Sequence, residues 1–128
     1  MSLTLIVFEK TITSLEVTLN VLHSSTALDE TIMKIYRDAC IQRFEYSIEM
    51  AWKISMKFLG SQTMAAKPAI REMARNNLIT NPDLWLSFID ARNETSHSYE
   101  EDVAIRVLQK IELFFPEAQK LILKLKTL

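Results

Sequence analysis

Hydrophobic residues recur at helical spacing along most of the chain and divide it into amphipathic segments. In the first segment the apolar positions advance by alternating steps of three and four residues, which places them in one stripe along a helix. We expect this helix to end between His23 and Ser25, with His23 beside the negative end of the helix dipole. The stripe consists of Leu5, Phe8, Ile12, Leu15, Leu19 and Leu22.

A second, longer helix is predicted between Thr26 and Gly60. Thr26 and Asp29 fit a capping box, and no residue interrupts the apolar pattern before Gly60, a residue type that commonly follows a helix. At 1.5 Å per residue this helix would be roughly 45 Å long. A helix longer than its own domain commonly finds cover in a partner chain, so its length indicates a dimer. The predicted inward positions are Ile32, Ile35, Ala39, Phe44, Ile48, Ala51, Ser55 and Phe58.

Two more helices are predicted after a polar linker at residues 61–67. Pro68 fits the first turn of a short helix that continues to about Asn76. The tripeptide at 81–83 then combines an Asn N-cap, a Pro at the first helical position and an acid in the first turn. The fourth helix that follows has its inward positions at Leu84, Trp85, Phe88 and Ile89.

The last predicted helix runs from Glu101 to Thr127. Pro116 lies inside it and cannot donate to the carbonyl of Glu112, so we expect a kink or a break there. The inward positions in phase are Val107, Ile111, Phe114, Ala118, Ile122 and Leu125.

Composition supports an all-α fold. The 128 residues include one glycine and three prolines, whereas sheets and phosphate-binding loops need glycine at turns and close backbone approaches. We therefore predict a single domain over residues 1–128, an up-and-down bundle of four or five helices that dimerises. Cys40 is the only cysteine, so neither an internal disulfide nor a Cys/His zinc site is expected, and no cofactor is implied. The short apolar run at 3–8 indicates no secretion signal or membrane span, and we expect a cytoplasmic protein.

Charge is balanced overall and uneven along the chain. The net charge is −1, but residues 31–75 carry eight basic against four acidic side chains. Two interpretations remain open: solvated helix faces, or a strip that follows phosphates.

The candidate chemistry lies at residues 91–99. Arg92 continues the apolar stripe of the fourth helix, and a guanidinium there needs an anion, a bundle edge or a subunit interface. If the helix ends after Arg92, the following loop can bring His97 and Tyr99 back toward it. His97 could then move a proton while Arg92 stabilises a charged phosphorane, which amounts to RNA cleavage without a metal. A two-fold dimer would supply a second histidine.

A purely structural interpretation of the same residues also remains open. Arg92 could hold the loop through backbone carbonyls, with His97 an ordinary histidine at a helix end.

The order Arg, four residues, His, one residue, Tyr resembles the motif of HEPN proteins (higher eukaryotes and prokaryotes nucleotide-binding). The chain is specifically similar to the HEPN family described as nucleotidyltransferase substrate-binding proteins. Three stretches carry the likeness: Q-R-F-E-Y-S-I-E-M-A-W-K at 42–53, D-L-W-L at 83–86 and R-N-E-T-S-H-S-Y at 92–99.

The resemblance implies a dimer whose Arg92 and His97 side chains, supported by Asn93 and Ser96, lie close to the two-fold axis. It also implies a separately encoded minimal nucleotidyltransferase as partner and, in toxin–antitoxin pairs, an endoribonuclease toxin that the partner silences by adding AMP to Tyr99. The same family admits another function, in which the helical chain is a non-catalytic subunit that binds substrate for the nucleotidyltransferase. Glu100 and its two acidic successors either oppose RNA binding or charge the start of the last helix.

Overall fold

The computed structural model describes residues 2–24 and 29–128, with only the backbone described for residues 2–4. Five α-helices form the fold, and no strand occurs within these residues. The prediction of an all-α bundle is confirmed. The helices are α1 (Ser2–Ser24), α2 (Glu30–Leu59), α3 (Ala66–Arg75), α4 (Pro82–Glu94) and α5 (Glu101–Lys126).

The long helix α2 packs against each of the other four helices, most extensively against α1. The predicted stripe of α1 faces this contact: its four central positions are buried, and Leu5 and Leu22 pack against the core from its edge. All five helices contribute to one continuous hydrophobic core.

Both ends of α2 are capped by local chemistry. The predicted capping residue Thr26 lies outside the described residues; the residue that caps the helix is Asp29, whose carboxylate accepts from the Ile32 amide at 2.9 Å. At the other end Gly60 adopts a left-handed φ of 66°, as the sequence predicts. The helix has 30 residues, so the expected length of roughly 45 Å is confirmed.

The first turns of α2 are not part of the core. Its buried residues begin at Cys40, and Ile35 is 61% exposed, so the prediction that Ile32 and Ile35 face inward is wrong. Their spacing is that of a buried stripe, but no described helix covers this part of α2. An apolar stripe on a long helix predicts that this face is buried, but it does not predict whether the same chain or another chain packs against it.

The α2–α3 connection is held by a carboxylate. The hydroxyls of Ser61 and Thr63 donate to Glu72 at 2.6 and 2.9 Å, and these bonds lower the pKa of the Glu72 carboxyl. Helix α3 begins at Ala66 and so includes the last two residues of the predicted linker, and Pro68 lies in its first turn as predicted.

The predicted start of α4 is confirmed, since the Asn81 side chain accepts from the Leu84 amide at 3.1 Å and Pro82 opens the helix. Helix α5, by contrast, runs unbroken through Pro116, so the expectation of a break at this position is wrong. Phe114 and Ala118, on either side of the proline, are fully buried. Their packing outweighs the one hydrogen bond that proline removes.

Four aromatic rings join α2, α4 and α5 at the centre of the core. Phe114 makes edge-to-face contacts with Phe44, Trp85 and Phe88, with ring centroids 5.3, 5.7 and 5.4 Å apart. All four rings are fully buried. Such pairs add to the free energy of burial and favour one relative orientation of the three helices.

Replacing the central ring should be strongly destabilising. We expect Phe114→Ala to lower the free energy of unfolding by about 3–5 kcal/mol, since it leaves a cavity between three helices. Urea denaturation measures the change. Leu113→Ala, on the half-exposed neighbouring position, is the matched control and should change the value by less than about 1 kcal/mol. Equal losses in both variants would contradict the central role of the ring.

Candidate active site

The segment with the candidate chemistry, residues 91–99, spans the end of α4. The Thr95 hydroxyl donates to the Arg92 carbonyl at 2.8 Å and closes the last turn. Residues Thr95–His97 continue as a short 3-10 turn, and the Glu100 amide donates to the His97 carbonyl at 3.0 Å. Helix α4 thus ends two residues after Arg92, which meets the condition under which the sequence allows the following loop to turn back.

Arg92 faces two carboxylates of α2. Its Nη1 lies 3.7 Å from Glu45 Oε2, and its Nε lies 3.8 Å from Glu49 Oε1. The Arg92 side chain is 34% exposed, and its Nε is buried without a hydrogen-bond partner. These distances are too long for hydrogen bonds, so the guanidinium is attracted by both carboxylates and held tightly by neither.

Positive and negative side chains alternate beside α2 in the order Glu45, Arg92, Glu49 and Lys53, with Arg92 contributed by α4. Glu49 also pairs with Lys53 one turn on, at 3.5 Å, and the Lys53 ammonium lies 5.5 Å from the Trp52 ring centroid. Two carboxylates four residues apart on a helix repel each other, and the guanidinium between Glu45 and Glu49 relieves that repulsion.

The two glutamates are not among the site residues predicted from the sequence, which indicated at most a surface ion pair for Glu45. Glu45 and Glu49 each follow a buried position of α2, Phe44 and Ile48. Both glutamates lie at the border of the buried stripe of α2, one turn apart. This repeat was the signal in the sequence that a cation of a neighbouring helix faces them.

His97, the last residue of the 3-10 turn, and Tyr99, two residues later, lie on the surface. Tyr99 is 79% exposed, and its ring centroid is 6.2 Å from that of His97. Within the described chain no hydrogen bond or ion pair joins either residue to Arg92, whose contacts run to α2 instead. The supporting candidates Asn93 and Ser96 are exposed as well. The structure thus places His97 beside Tyr99, and Arg92 at the preceding helix end.

The acids that follow Tyr99 belong to the start of α5. Glu101 accepts from Arg37 of α2 at 2.8 Å, and Asp102 pairs with Arg106 at 3.3 Å. These contacts fit the interpretation of the acidic run as charges at a helix N-terminus. They also fix the beginning of α5 against α2, next to the motif.

The basic residues of 31–75 do not form one surface. Arg37 is paired with α5, as described, and Lys67 of α3 pairs with Asp90 of α4 at 2.8 Å. Lys53 and Lys57, in contrast, line a groove between α1 and α2.

Other kinds of site find little support. Among residues 2–24 and 29–128, no group of three or more His, Cys, Asp or Glu side chains is placed to hold a metal ion. Burial raises the pKa of the Cys40 thiol to about 11, so the thiol is not a nucleophile near neutral pH. No helix in the described part of the chain is long and apolar enough to cross a membrane.

The fold and these residues define an all-helical protein with a HEPN-type Arg–His–Tyr segment. Residues 3–127 match the family described as nucleotidyltransferase substrate binding protein like, and the chain belongs to this family.

Known proteins agree with this assignment. A Haemophilus influenzae protein named probable ribonuclease HepT is 30% identical over an alignment of 94 positions that covers 67% of this chain and 64% of that protein. A solved Haemophilus influenzae structure, described as the fold of a substrate binding domain of a nucleotidyltransferase, superimposes with a TM-score of 0.87 at 26% identity. The match covers 95% of this chain and 98% of the other. A Thermus thermophilus structure matches with a TM-score of 0.77 at 26% identity, over 92% of this chain and 98% of the other.

The weak hold on Arg92 can be measured by a double-mutant cycle. We expect Arg92→Met and Glu49→Gln to couple by less than about 1 kcal/mol in the free energy of unfolding, because both side chains are one-third exposed and separated by a long contact. Urea denaturation of the two single variants and the double variant gives the coupling. A value above about 2 kcal/mol would show that the guanidinium is locked to α2 and closed to other anions.

Proposed function

We propose that this protein is the HEPN partner of a separately encoded minimal nucleotidyltransferase and acts as a metal-independent endoribonuclease, the toxin of a toxin–antitoxin pair. The carrying observation is that a loosely held, partly exposed guanidinium precedes a surface turn bearing a histidine and a tyrosine. The relative named as a probable ribonuclease supports the same chemistry.

The two side chains suit the reaction by their chemistry. A 2′-oxygen bonds to phosphorus, the bond from phosphorus to the 5′-oxygen breaks, and one proton leaves the 2′-hydroxyl while another reaches the 5′-oxygen. His97 can hold or release a proton near neutral pH. Arg92 can exchange its long contacts with Glu45 and Glu49 for short bonds to phosphate oxygens, which stabilises the phosphorane.

The reaction requires a second copy of the chain in this proposal, because each site has one histidine for two proton transfers. The uncovered turn of α2 with Ile32 and Ile35 offers an apolar surface for that copy. Arg37, on the next turn of α2, binds Glu101, which lies two residues after Tyr99. A homodimer built on this surface would contact the end of α2 that lies beside the start of α5.

Tyr99 is the proposed site of silencing by AMP. Its hydroxyl is on a side chain that is four-fifths exposed, so a nucleotidyltransferase can reach it without unfolding the turn. The added phosphate would stand beside His97 and carry negative charge that repels RNA and occupies the anion site.

A second candidate function follows from the family itself. Its description, and that of the solved Haemophilus influenzae relative, name substrate binding for a nucleotidyltransferase. In that case the chain presents a substrate to its partner and cleaves nothing.

Cleavage of RNA in EDTA distinguishes the two functions. We expect the unmodified protein, checked by mass spectrometry, to cleave single-stranded RNA, and His97→Ala to lower the rate about 100- to 10,000-fold by removing the proton-transfer group. His23→Ala is the matched control, since His23 binds Glu112 at 2.6 Å on α5 and should leave the rate unchanged. Intact RNA with wild-type protein, together with binding of a nucleotide or small amine, would favour substrate presentation.

Modification by the partner provides a separate test. Incubated with the nucleotidyltransferase, ATP and magnesium, the wild-type protein should gain AMP at the expense of ATP, with release of pyrophosphate, and lose ribonuclease activity. Tyr99→Phe should stay unmodified and active, whereas Tyr36→Phe, at a half-buried tyrosine of α2, should behave as wild type. Intact-protein mass and RNA cleavage are measured on the same samples. Silencing of Tyr99→Phe to the wild-type extent would contradict the assignment of the acceptor.

A further inference from the structure

A groove of about 840 Å³ runs between α1 and α2. Its apolar lining includes Val7 of α1 and Met50 and Ile54 of α2. The volume falls within the range of roughly 300–1,000 Å³ that is common for binding sites. The groove lies outside the Arg92–His97–Tyr99 segment, and neither function proposed above uses it.

The charged residues around the groove are mostly basic. Four of its lining residues are cationic, and Glu49 is the one acid among them. Within the described residues neither Lys10 nor Lys57 makes an ion pair, so both ammonium groups are free for an external anion. Arg43 is committed in part, since it donates to the Ser14 carbonyl at 2.6 Å.

An aromatic ring stands among these cations. Tyr46 lines the groove and is 60% exposed, although a ring of this size usually gains by burial. Its hydroxyl accepts from Gln42 at 3.4 Å. An exposed ring between lysines, over an apolar floor, is the combination by which proteins bind single-stranded nucleic acid: bases stack on the ring and phosphates pair with the cations.

The groove is continuous with the candidate active site through two side chains. Glu49 lines the groove and lies 3.8 Å from Arg92. Lys53 lines the groove and lies 3.5 Å from Glu49. An RNA strand in the groove would thus reach Arg92 by crossing α2 at Glu49, which has Lys53 on one side and Arg92 on the other.

We propose that the α1–α2 groove binds the single-stranded RNA that flanks the cleavage point, with a base on Tyr46 and phosphates on Lys10, Lys53 and Lys57. This inference rests on the proposed ribonuclease function and names the path of its substrate. Charge selects the occupant: an uncharged apolar peptide would leave the free ammonium groups without partners, whereas a phosphate backbone supplies anions at regular spacing.

Binding of a strand that cannot be cleaved tests the groove separately from catalysis. The probe is a fluorescent, unstructured 2′-O-methyl RNA oligonucleotide, which lacks the attacking hydroxyl, and the readout is fluorescence anisotropy at several salt concentrations. Lys10→Ala/Lys57→Ala should weaken binding about ten-fold and lower the slope of log K against log salt by about 1.4, the value for two phosphate contacts on a single strand. Lys124→Ala, an exposed lysine of α5, is the matched control and should bind as wild type.

The aromatic part of the site has its own variants. Tyr46→Ala should weaken binding about ten-fold, and Tyr46→Phe, which keeps the ring, should restore it. Circular dichroism verifies that each variant is folded. The proposal would be overturned if the wild-type protein did not bind the strand, or if the variants bound it like wild type. It would also be overturned if the variants still bound RNA but no longer bound the nucleotidyltransferase partner.

The outcomes also separate the two proposals. Binding with the expected dependence on Lys10, Lys57 and Tyr46, but no cleavage of ordinary RNA, would support the groove and refute the ribonuclease. Cleavage whose substrate affinity is insensitive to these variants would support the ribonuclease and refute the groove.

Discussion

The aromatic contact between α2, α4 and α5 is the constraint on which the candidate site depends. Phe88 of α4 meets Phe114 of α5, which in turn meets Phe44 of α2. These contacts fix the register of α4 along α2. Arg92 lies one turn after Phe88, and Glu45 directly follows Phe44, so the same register sets the guanidinium opposite the two carboxylates. The core does not merely support the site; it determines which charges meet there.

The ion pairs that those charges form are weak. A guanidinium buried among apolar groups would be costly, whereas one joined to a carboxylate by two short hydrogen bonds would be unavailable to a substrate. Arg92 is in neither state, since its contacts with Glu45 and Glu49 are 3.7 and 3.8 Å long and its Nε has no hydrogen-bond partner. Phosphate oxygens that form short bonds with Arg92 would therefore displace weak interactions. This balance suits an anion site better than it suits a structural ion pair.

Local patterns predicted the helices well, because apolar spacing and end signals act within a few residues. The start of α4 at Asn81 and Pro82 and the end of α2 at Gly60 needed no tertiary information. Contacts between helices could not be predicted in the same way. Ile35 has the spacing of a core residue but lies where no described helix covers it, and the pairing of Glu49 with Arg92 depends on packing between α2 and α4. The sequence motif selected the candidate residues Arg92, His97 and Tyr99, whereas their contacts with other side chains could be read only from the folded structure.

Exposure of the turn after α4 connects the proposed activity with its proposed control. In the proposed function His97 would have to reach a phosphodiester and Tyr99 the active site of another enzyme, which requires both side chains to be exposed. The 3-10 turn meets both needs, since its backbone bonds hold the segment while both side chains face outward, with ring centroids 6.2 Å apart. A phosphate attached to Tyr99 would then lie within the range at which unscreened charges interact, close to the imidazole that must exchange protons. The proposed silencing by modification would therefore need no change of fold, because Tyr99, the proposed acceptor, already lies beside His97.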